Sequence, residues 1–235
     1  MFVQSASNPS DLEQVLRRML PREISVRCAT VVDRSALLPE QERAYLDNAV
    51  SSRRAEFSTG RLLVASQLKE FGIVGVPVRR GIMNEPIWPD GIVGSISHTS
   101  EICVVVMGRS TDISFLGVDV EFGNADVSKI ESLVLSEREL LDVSSLDAPD
   151  RARRVRMAFC TKESVFKAIY PVLHRFIDFP EVTIQCSDHT ETFSAVSETD
   201  RELNSLLRDG CGRFRVDQSL IVSLFFQLTS PQISA

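Results

Sequence analysis

Apolar and polar positions change their spacing along the chain, and each change predicts an element. Residues 11–20 predict one short helix, and 24–32 read as a strand. Pro39 followed by Glu40, Gln41 and Glu42 is a helix start, because proline suits the first turn and acids complement the positive end of the helix dipole. Leu46, Val50, Phe57, Val64, Leu68 and Phe71 then recur at three-, four- and seven-residue spacings. They predict helix as far as 71, interrupted near Ser51-Ser52 and ended by Gly72. Residues 72–90 are rich in glycine and proline and read as loop. Two strand-like runs, 92–97 and 102–107, flank a short polar turn and predict a hairpin.

The second half repeats that order. Residues 115–121 predict a third strand. Ser136 and Glu139 form a capping-box pair ahead of Leu140-Leu141, so a helix starts there. A second long helix is predicted over 151–170, with Val155, Phe159, Phe166 and Ile169 as its apolar stripe and Pro171 as its stop. Residues 181–185, 192–196, 213–216 and 220–227 alternate like strands, with Asp188-His189 marking a hairpin turn. Strand, long helix, strands thus occurs twice. The reading is an α+β chain of two halves, 1–114 and 115–235, with no sequence repeat and no low-complexity segment.

Composition narrows the class. The 235 residues are 43% hydrophobic and 25% charged, which is the balance of a folded globular chain rather than a disordered one. No apolar run approaches the roughly 20 residues of a membrane-spanning helix, and nothing near residue 1 reads as a secretory signal. The expectation is a cytoplasmic protein whose five cysteines stay reduced. A net charge of −6 argues against a general nucleic-acid binder, yet of 26 basic residues only Lys69, Lys129, Lys162 and Lys167 are lysines. Arginine is the residue suited to bidentate grip on phosphate or carboxylate.

Four stretches carry candidate chemistry. On a strand the side chains of Asp119 and Glu121 share one face, opposite Val118 and Val120. Two like charges so placed repel unless a cation lies between them; a hard divalent ion such as Mg²⁺ fits, and a solvent-facing acidic strand end is the plainer alternative. Glu163 lies beside the inward stripe of the second long helix with Lys167 one turn on, either a functional carboxylate or an ordinary exposed Glu–Lys pair. Ser97 and His98 close a strand at a turn, where side chains reach a ligand or simply the surface. Arg53, Arg54 and Arg61 cluster on one helix around the mid-helix Gly60, and Arg79-Arg80 in the loop could extend an anion site; a solvated basic face is the alternative. No His or Cys spacing suits zinc.

Taken together, these segments resemble the phosphopantetheinyl transferases, most closely the enterobactin-synthetase-component-D-like branch of the Sfp type. The resemblance rests on Arg53-Arg54-Ala55-Glu56 through Gly60-Arg61, Pro86-Ile87-Trp88-Pro89, Gly94-Ser95-Ile96-Ser97-His98, Gly117-Val118-Asp119-Val120-Glu121 and Phe159-Cys160-Thr161-Lys162-Glu163-Ser164-Val165-Phe166-Lys167, in the family's order. It implies the 4′-phosphopantetheinyl transferase fold, a pseudo-dimer of two similar α/β halves with the active site between them. The implied reaction is Mg²⁺-dependent transfer of 4′-phosphopantetheine from coenzyme A to a serine of an apo acyl or peptidyl carrier protein, releasing adenosine 3′,5′-bisphosphate. By the same resemblance Asp119, Glu121 and Glu163 bind the metal, and Glu163 is the base for the carrier serine. Lys162 and Lys167 neutralise pyrophosphate charge, and Arg53, Arg61, Arg80, Ser97, His98 and Asp119 complete the coenzyme A contacts. A monomer serving siderophore or other secondary metabolism is expected, with part of the Arg151–Arg156 run facing the carrier's acidic helix. The alternatives are another Mg²⁺-dependent nucleotide phosphoryl enzyme and a non-catalytic coenzyme A-binding protein.

Overall fold

A computed structural model describes residues 8–127, 129–216 and 219–229. The chain divides into two compact units between Ile113 and Ser114. In the first unit, α1 (Pro9–Met19) opens on a capped end, where the Asn8 side chain accepts the Ser10 N–H and a proline occupies the first turn. Then come β1 (Ser25–Thr30), the short α2 (Glu40–Arg43) and the long α3 (Ser51–Glu70). Helical pattern does break ahead of Ser51, and Gly72 turns the chain away with a φ of 84° that suits glycine. The loop that follows holds a small hairpin not expected from its composition, β2 (Arg79–Arg80) with β3 (Pro86–Ile87). The strands β4 (Ile92–His98) and β5 (Ile102–Arg109) form the expected hairpin.

β5 is the centre of this unit's three-stranded sheet, antiparallel to β1 on one side and to β4 on the other. Its run from Ile102 to Met107 is buried throughout, as befits a central strand. Val64 and Leu68 of α3 pack on Ile92, Cys103, Val105 and Met107. Gly60 lets the helix lie close: a Cβ there would stand 3.3 Å from Ile96 Cγ2 and 3.6 Å from Cys103 Sγ.

The second unit contains β6 (Ile113–Phe122, of which Ile113 closes the first unit), α4 (Glu131–Val134), α5 (Glu137–Val143) and α6 (Ala148–Leu173). β7 (Thr183–Ser187), β8 (Thr192–Val196), α7 (Arg201–Asp209), β9 (Cys211–Val216) and β10 (Leu220–Leu228) follow. Their sheet has the order β6-β10-β9-β8-β7. Met157, Cys160, Val165, Ala168 and Ile169 of α6 pack on Phe115, Phe193, Phe214, Ile221 and Phe225 from the sheet. Val155 and Ala158 on another side of α6 pack on Val127, Val134, Leu135 and Val143. A helix buried on two sides shows only a weak amphipathic stripe, which is why four apolar positions described it incompletely.

One expectation is corrected here. Pro171 does not stop α6; the helix runs on to Leu173 and ends with His174 in the left-handed region. A proline that late removes one backbone donor while the His174 N–H still reaches the Tyr170 carbonyl at 2.8 Å. Residues 197–212, unassigned between the expected strands, hold a helix: Asp200 caps α7 by accepting the Leu203 N–H, and Leu203 and Leu207 bury one face. The capping box at Ser136 and Glu139 is present as expected.

Candidate active site

In the first unit, a little over two turns of α3, the β2–β3 hairpin and the end of β4 line a cavity of about 130 Å³. Arg53, Glu56, Phe57, Arg61, Arg80 and His98 line it, so the fold brings four predicted coenzyme A residues together from distant parts of the chain. The Arg61 guanidinium lies over the Phe57 ring at 5.0 Å and Arg53 lies over the same ring at 5.8 Å. Arg53 Nη1 is 3.3 Å from His98 Nε2, and Glu56 lies beside both, 3.7 Å from Arg53 and 3.8 Å from His98. Arg80 donates to Asn84 Oδ1 at 2.5 Å and stacks on Tyr45 at 5.3 Å.

Arg61 is the most telling of these groups. It is 5% exposed, and its Nη1 makes no hydrogen bond among the described residues. Burial holds its guanidinium below the usual arginine range, with Glu42 the opposing influence. A buried donor with no acceptor costs stability and calls for an anion. Ser97 is not part of this arrangement. Strand alternation turns it to the opposite face of β4 from Ile96 and His98, and it does not line the cavity. Arg54 is likewise diverted, donating to Ser35 Oγ at 2.8 Å and to Asp33.

In the second unit, β6 and α6 bring a second group together. Gly117 permits it: a Cβ there would stand 2.0 Å from the Ser164 carbonyl and 2.7 Å from Ala168 N. With the backbones in contact, Lys167 Nζ donates to Asp119 Oδ1 at 2.6 Å. Asp119 is 3% exposed, while Glu121 and Glu163 are half-buried. Burial pushes the Glu121 carboxyl up to about 7, helped by Asp119 and Glu163 and opposed by Lys167. Burial raises Glu163 too, and Asp119 adds to it. For Lys167 burial works downward, and Asp119 and Glu163 outweigh it to leave the ammonium raised. Three mutually repelling carboxylates beside one lysine are a donor set suited to a hard divalent cation. Among the described residues no three such groups stand close enough together to hold a metal ion.

Lys162 does not belong to this cluster. Its ammonium is 2% exposed and donates to the Val134 carbonyl at 2.7 Å, Glu139 Oε2 at 2.5 Å and the Phe179 carbonyl at 3.1 Å. All three of its donors are engaged within this corner of the unit, away from Glu163 and Lys167. The helical step of roughly 100° from Glu163 sends it to another side of α6. The Arg151–Arg156 run is also largely committed within the unit: Arg151 pairs with Glu131, Arg153 with Asp188, and Arg156 donates to the Ala125 carbonyl. Arg154 remains exposed.

Glu56 and Glu139 are the functional candidates that the sequence reading passed over. Glu56 sits inside the quoted arginine motif, one helical turn from Arg53, and its spacing was the available signal. Glu139 was read only as half of a capping box.

Comparisons with known proteins agree with this architecture. The 4′-phosphopantetheinyl transferase N-terminal domain matches residues 41–108, and the 4′-phosphopantetheinyl transferase superfamily matches residues 115–216. The chain therefore belongs to the phosphopantetheinyl transferases, of the Sfp type, and its α+β architecture is that family's fold. It is 35% identical to the 4′-phosphopantetheinyl transferase Svp of Streptomyces mobaraensis over 163 residues, 68% of this chain and 65% of that one. It is 28% identical to the 4′-phosphopantetheinyl transferase PptT of Mycobacterium tuberculosis over 197 residues, 79% of this chain and 84% of that one. Enterobactin synthase component D of Salmonella typhi is 37% identical over 135 residues, 56% of this chain and 53% of its own. The chain thus spans less than two thirds of the length of Svp and of component D. A holo-(acyl-carrier-protein) synthase from Bacillus anthracis, solved in complex with CoA, superposes on 51% of this chain and 99% of its own with 16% identity and a TM-score of 0.40, too loose a likeness to place individual residues.

Proposed function

We propose that this protein transfers 4′-phosphopantetheine from coenzyme A to a serine hydroxyl of an apo carrier protein. The observation that carries the reading is the carboxylate cluster of Asp119, Glu121 and Glu163 around Lys167, on a chain of this family. Asp119, Glu121 and Glu163 are the residues that would hold Mg²⁺. Bound there, the ion would supply charge stabilisation for the pyrophosphate as its bridging bond breaks.

The chain's own groups do the rest. In the first unit, Arg61, Arg53, Arg80 and His98 grip the phosphates of the nucleotide, and the buried Arg61 Nη1 gains the acceptor it needs. In the second unit, Lys167 carries positive charge held in place by Asp119 and stabilises negative charge as it builds on the leaving phosphate. Glu163, its carboxyl raised by burial, is the base that takes the serine proton. The serine oxygen then attacks the phosphorus of the pantetheine-bearing phosphate. Adenosine 3′,5′-bisphosphate leaves. The acceptors are cytoplasmic carrier domains of siderophore or other secondary-metabolite synthesis, a reading supported by the similarity to component D.

The intact mass of an apo carrier protein, measured after incubation with this protein, coenzyme A and Mg²⁺, tests the proposal. A gain of one phosphopantetheine group is expected with the wild type and not with Asp119→Ala or Glu163→Ala. Nucleotide turnover without any carrier would instead favour a different phosphoryl enzyme. Coenzyme A binding with no transfer to any carrier class would favour a binding protein.

A further inference from the structure

Lys162 and Glu139 form a buried ion pair that the proposed chemistry does not use. The Lys162 ammonium has three N–H donors and three acceptors: Glu139 Oε2, the Val134 carbonyl at the end of α4, and the Phe179 carbonyl in the turn after α6. The Glu139 carboxylate is engaged through both of its oxygens. Oε2 also accepts the Ser136 N–H at 2.7 Å, and Oε1 accepts the Ile184 N–H of β7 at 2.8 Å. Two oxygens thus serve three donors. A glutamine would suffice for the capping box but would turn an N–H towards a donor here. Thr183 Oγ1 ties the same corner together by hydrogen bonding to Ser136 Oγ at 2.9 Å.

The pair therefore joins α4, α5, α6, the turn after α6 and β7 at one point. A buried pair of this kind is poor at raising stability, because desolvation offsets much of the attraction; its attested use is to select one arrangement among several. The arrangement in question is the rotation of α6. Glu163 follows Lys162 directly, and Lys167 lies one turn beyond Glu163. Side-chain tips stand about 5–6 Å from a helix axis, so a rotation of about 10° moves them about 1 Å. A displacement of that size at a reacting group costs on the order of 100-fold in rate.

We infer that Lys162 and Glu139 are positioning residues: their buried ion pair fixes the rotation of α6 so that Glu163 and Lys167 face Asp119 and Glu121. The inference rests on the transferase reading for its catalytic consequence. Its structural content stands on the hydrogen bonds alone.

Glu139→Ala is the decisive variant, because it leaves the charge of Lys162 in place. Mn²⁺, followed by electron paramagnetic resonance without coenzyme A, is the probe of the carboxylate cluster. Folded Glu139→Ala is expected to bind Mn²⁺ about 10–100-fold more weakly than wild type. Its kcat for carrier modification should fall by a similar factor, with binding of adenosine 3′,5′-bisphosphate to the first unit unchanged. The double variant Lys162→Met/Glu139→Gln leaves no buried charge and guards against loss of the fold. It is expected to melt below the wild type, because the glutamine amide faces a backbone donor and two carbonyls lose theirs, but to stay folded and still bind Mn²⁺ weakly. Wild-type Mn²⁺ affinity and kcat in folded Glu139→Ala would overturn the inference, as would wild-type Mn²⁺ affinity in the double variant. So would loss of turnover in folded Lys162→Met with wild-type Mn²⁺ affinity, which would make Lys162 a direct substrate contact. Failure of the transferase reading looks different: wild type modifies no carrier, while the Mn²⁺ defects of both variants persist.

Discussion

Glu121 shows how a residue useful to a ligand weakens the protein that carries it. Its carboxyl is pushed up to about 7 by burial and by Asp119 and Glu163, so the folded chain binds this proton more tightly than the unfolded chain does. The penalty is absent below the unfolded value near 4.5, grows as pH rises and is complete above the folded value near 7. Discounted for its partial exposure, it amounts to roughly 1–2 kcal/mol. Glu121→Gln should therefore raise the melting temperature of the metal-free protein at pH 8, have little effect near pH 5, and lower Mg²⁺-dependent transfer by two orders of magnitude or more. Mg²⁺ competes with the same proton, so it should raise the wild-type melting temperature more at pH 8 than at pH 6. Scanning calorimetry at the two pH values reads both effects; equal Mg²⁺ shifts would contradict the assignment. Arg61 is the counterpart in the first unit. Arg61→Ala should weaken adenosine 3′,5′-bisphosphate binding by about 10–100-fold, and Arg61→Lys should not restore it, because an ammonium lacks the planar fork. Isothermal titration distinguishes these outcomes.

At the scale of elements, two glycines make contrasting predictions. Both permit a helix to lie against a strand, but their tolerance differs. Gly117→Ala would drive a methyl to 2.0 Å from the Ser164 carbonyl, backbone that has no room to retreat. It should destabilise the second unit by several kcal/mol, or leave it unfolded, in a denaturant melt. Gly60→Ala meets the Ile96 Cγ2 methyl at 3.3 Å and Cys103 Sγ at an ordinary 3.6 Å, side chains rather than backbone, and alanine is the better helix former. Its melt should stay within about 1 kcal/mol of wild type. α3 and α6 were legible as helices because their patterns run for many turns. Their limits and neighbours were less so. α7 was missed because Leu203, Leu206 and Leu207 span little more than one turn, a length at which helical and alternating patterns are hard to tell apart. The stop placed at Pro171 took the loss of one backbone N–H as decisive, whereas the turn still closes through the His174 N–H to the Tyr170 carbonyl.

For the whole molecule, a net charge of −6 sets an apparent conflict with anionic ligands. The fold resolves it by concentrating arginines around one small cavity while pairing others elsewhere, as with Arg151 on Glu131 and Arg175 on Glu181 and Asp200. Focused potential of this kind is screened over about 8 Å at physiological salt. The KM for coenzyme A should rise with ionic strength while kcat changes little, and a KM independent of salt would contradict an arginine-based grip.

The sequence by itself determined the α+β class, the two long helices, most strands and the family, because these depend on periodicity and on motifs a few residues long. It also singled out Arg53, Arg61, Arg80, His98, Asp119, Glu121, Glu163 and Lys167, whose chemical types announce charge handling. Tertiary structure decided which neighbours each of those groups meets. Only there does Glu56 come to lie beside both Arg53 and His98, and Lys162 leave the cluster for a buried partner 23 residues earlier in the chain. Motif spacing describes separation along one element. Burial, hydrogen-bond saturation and the rotation of α6 depend on atoms brought from several elements at once.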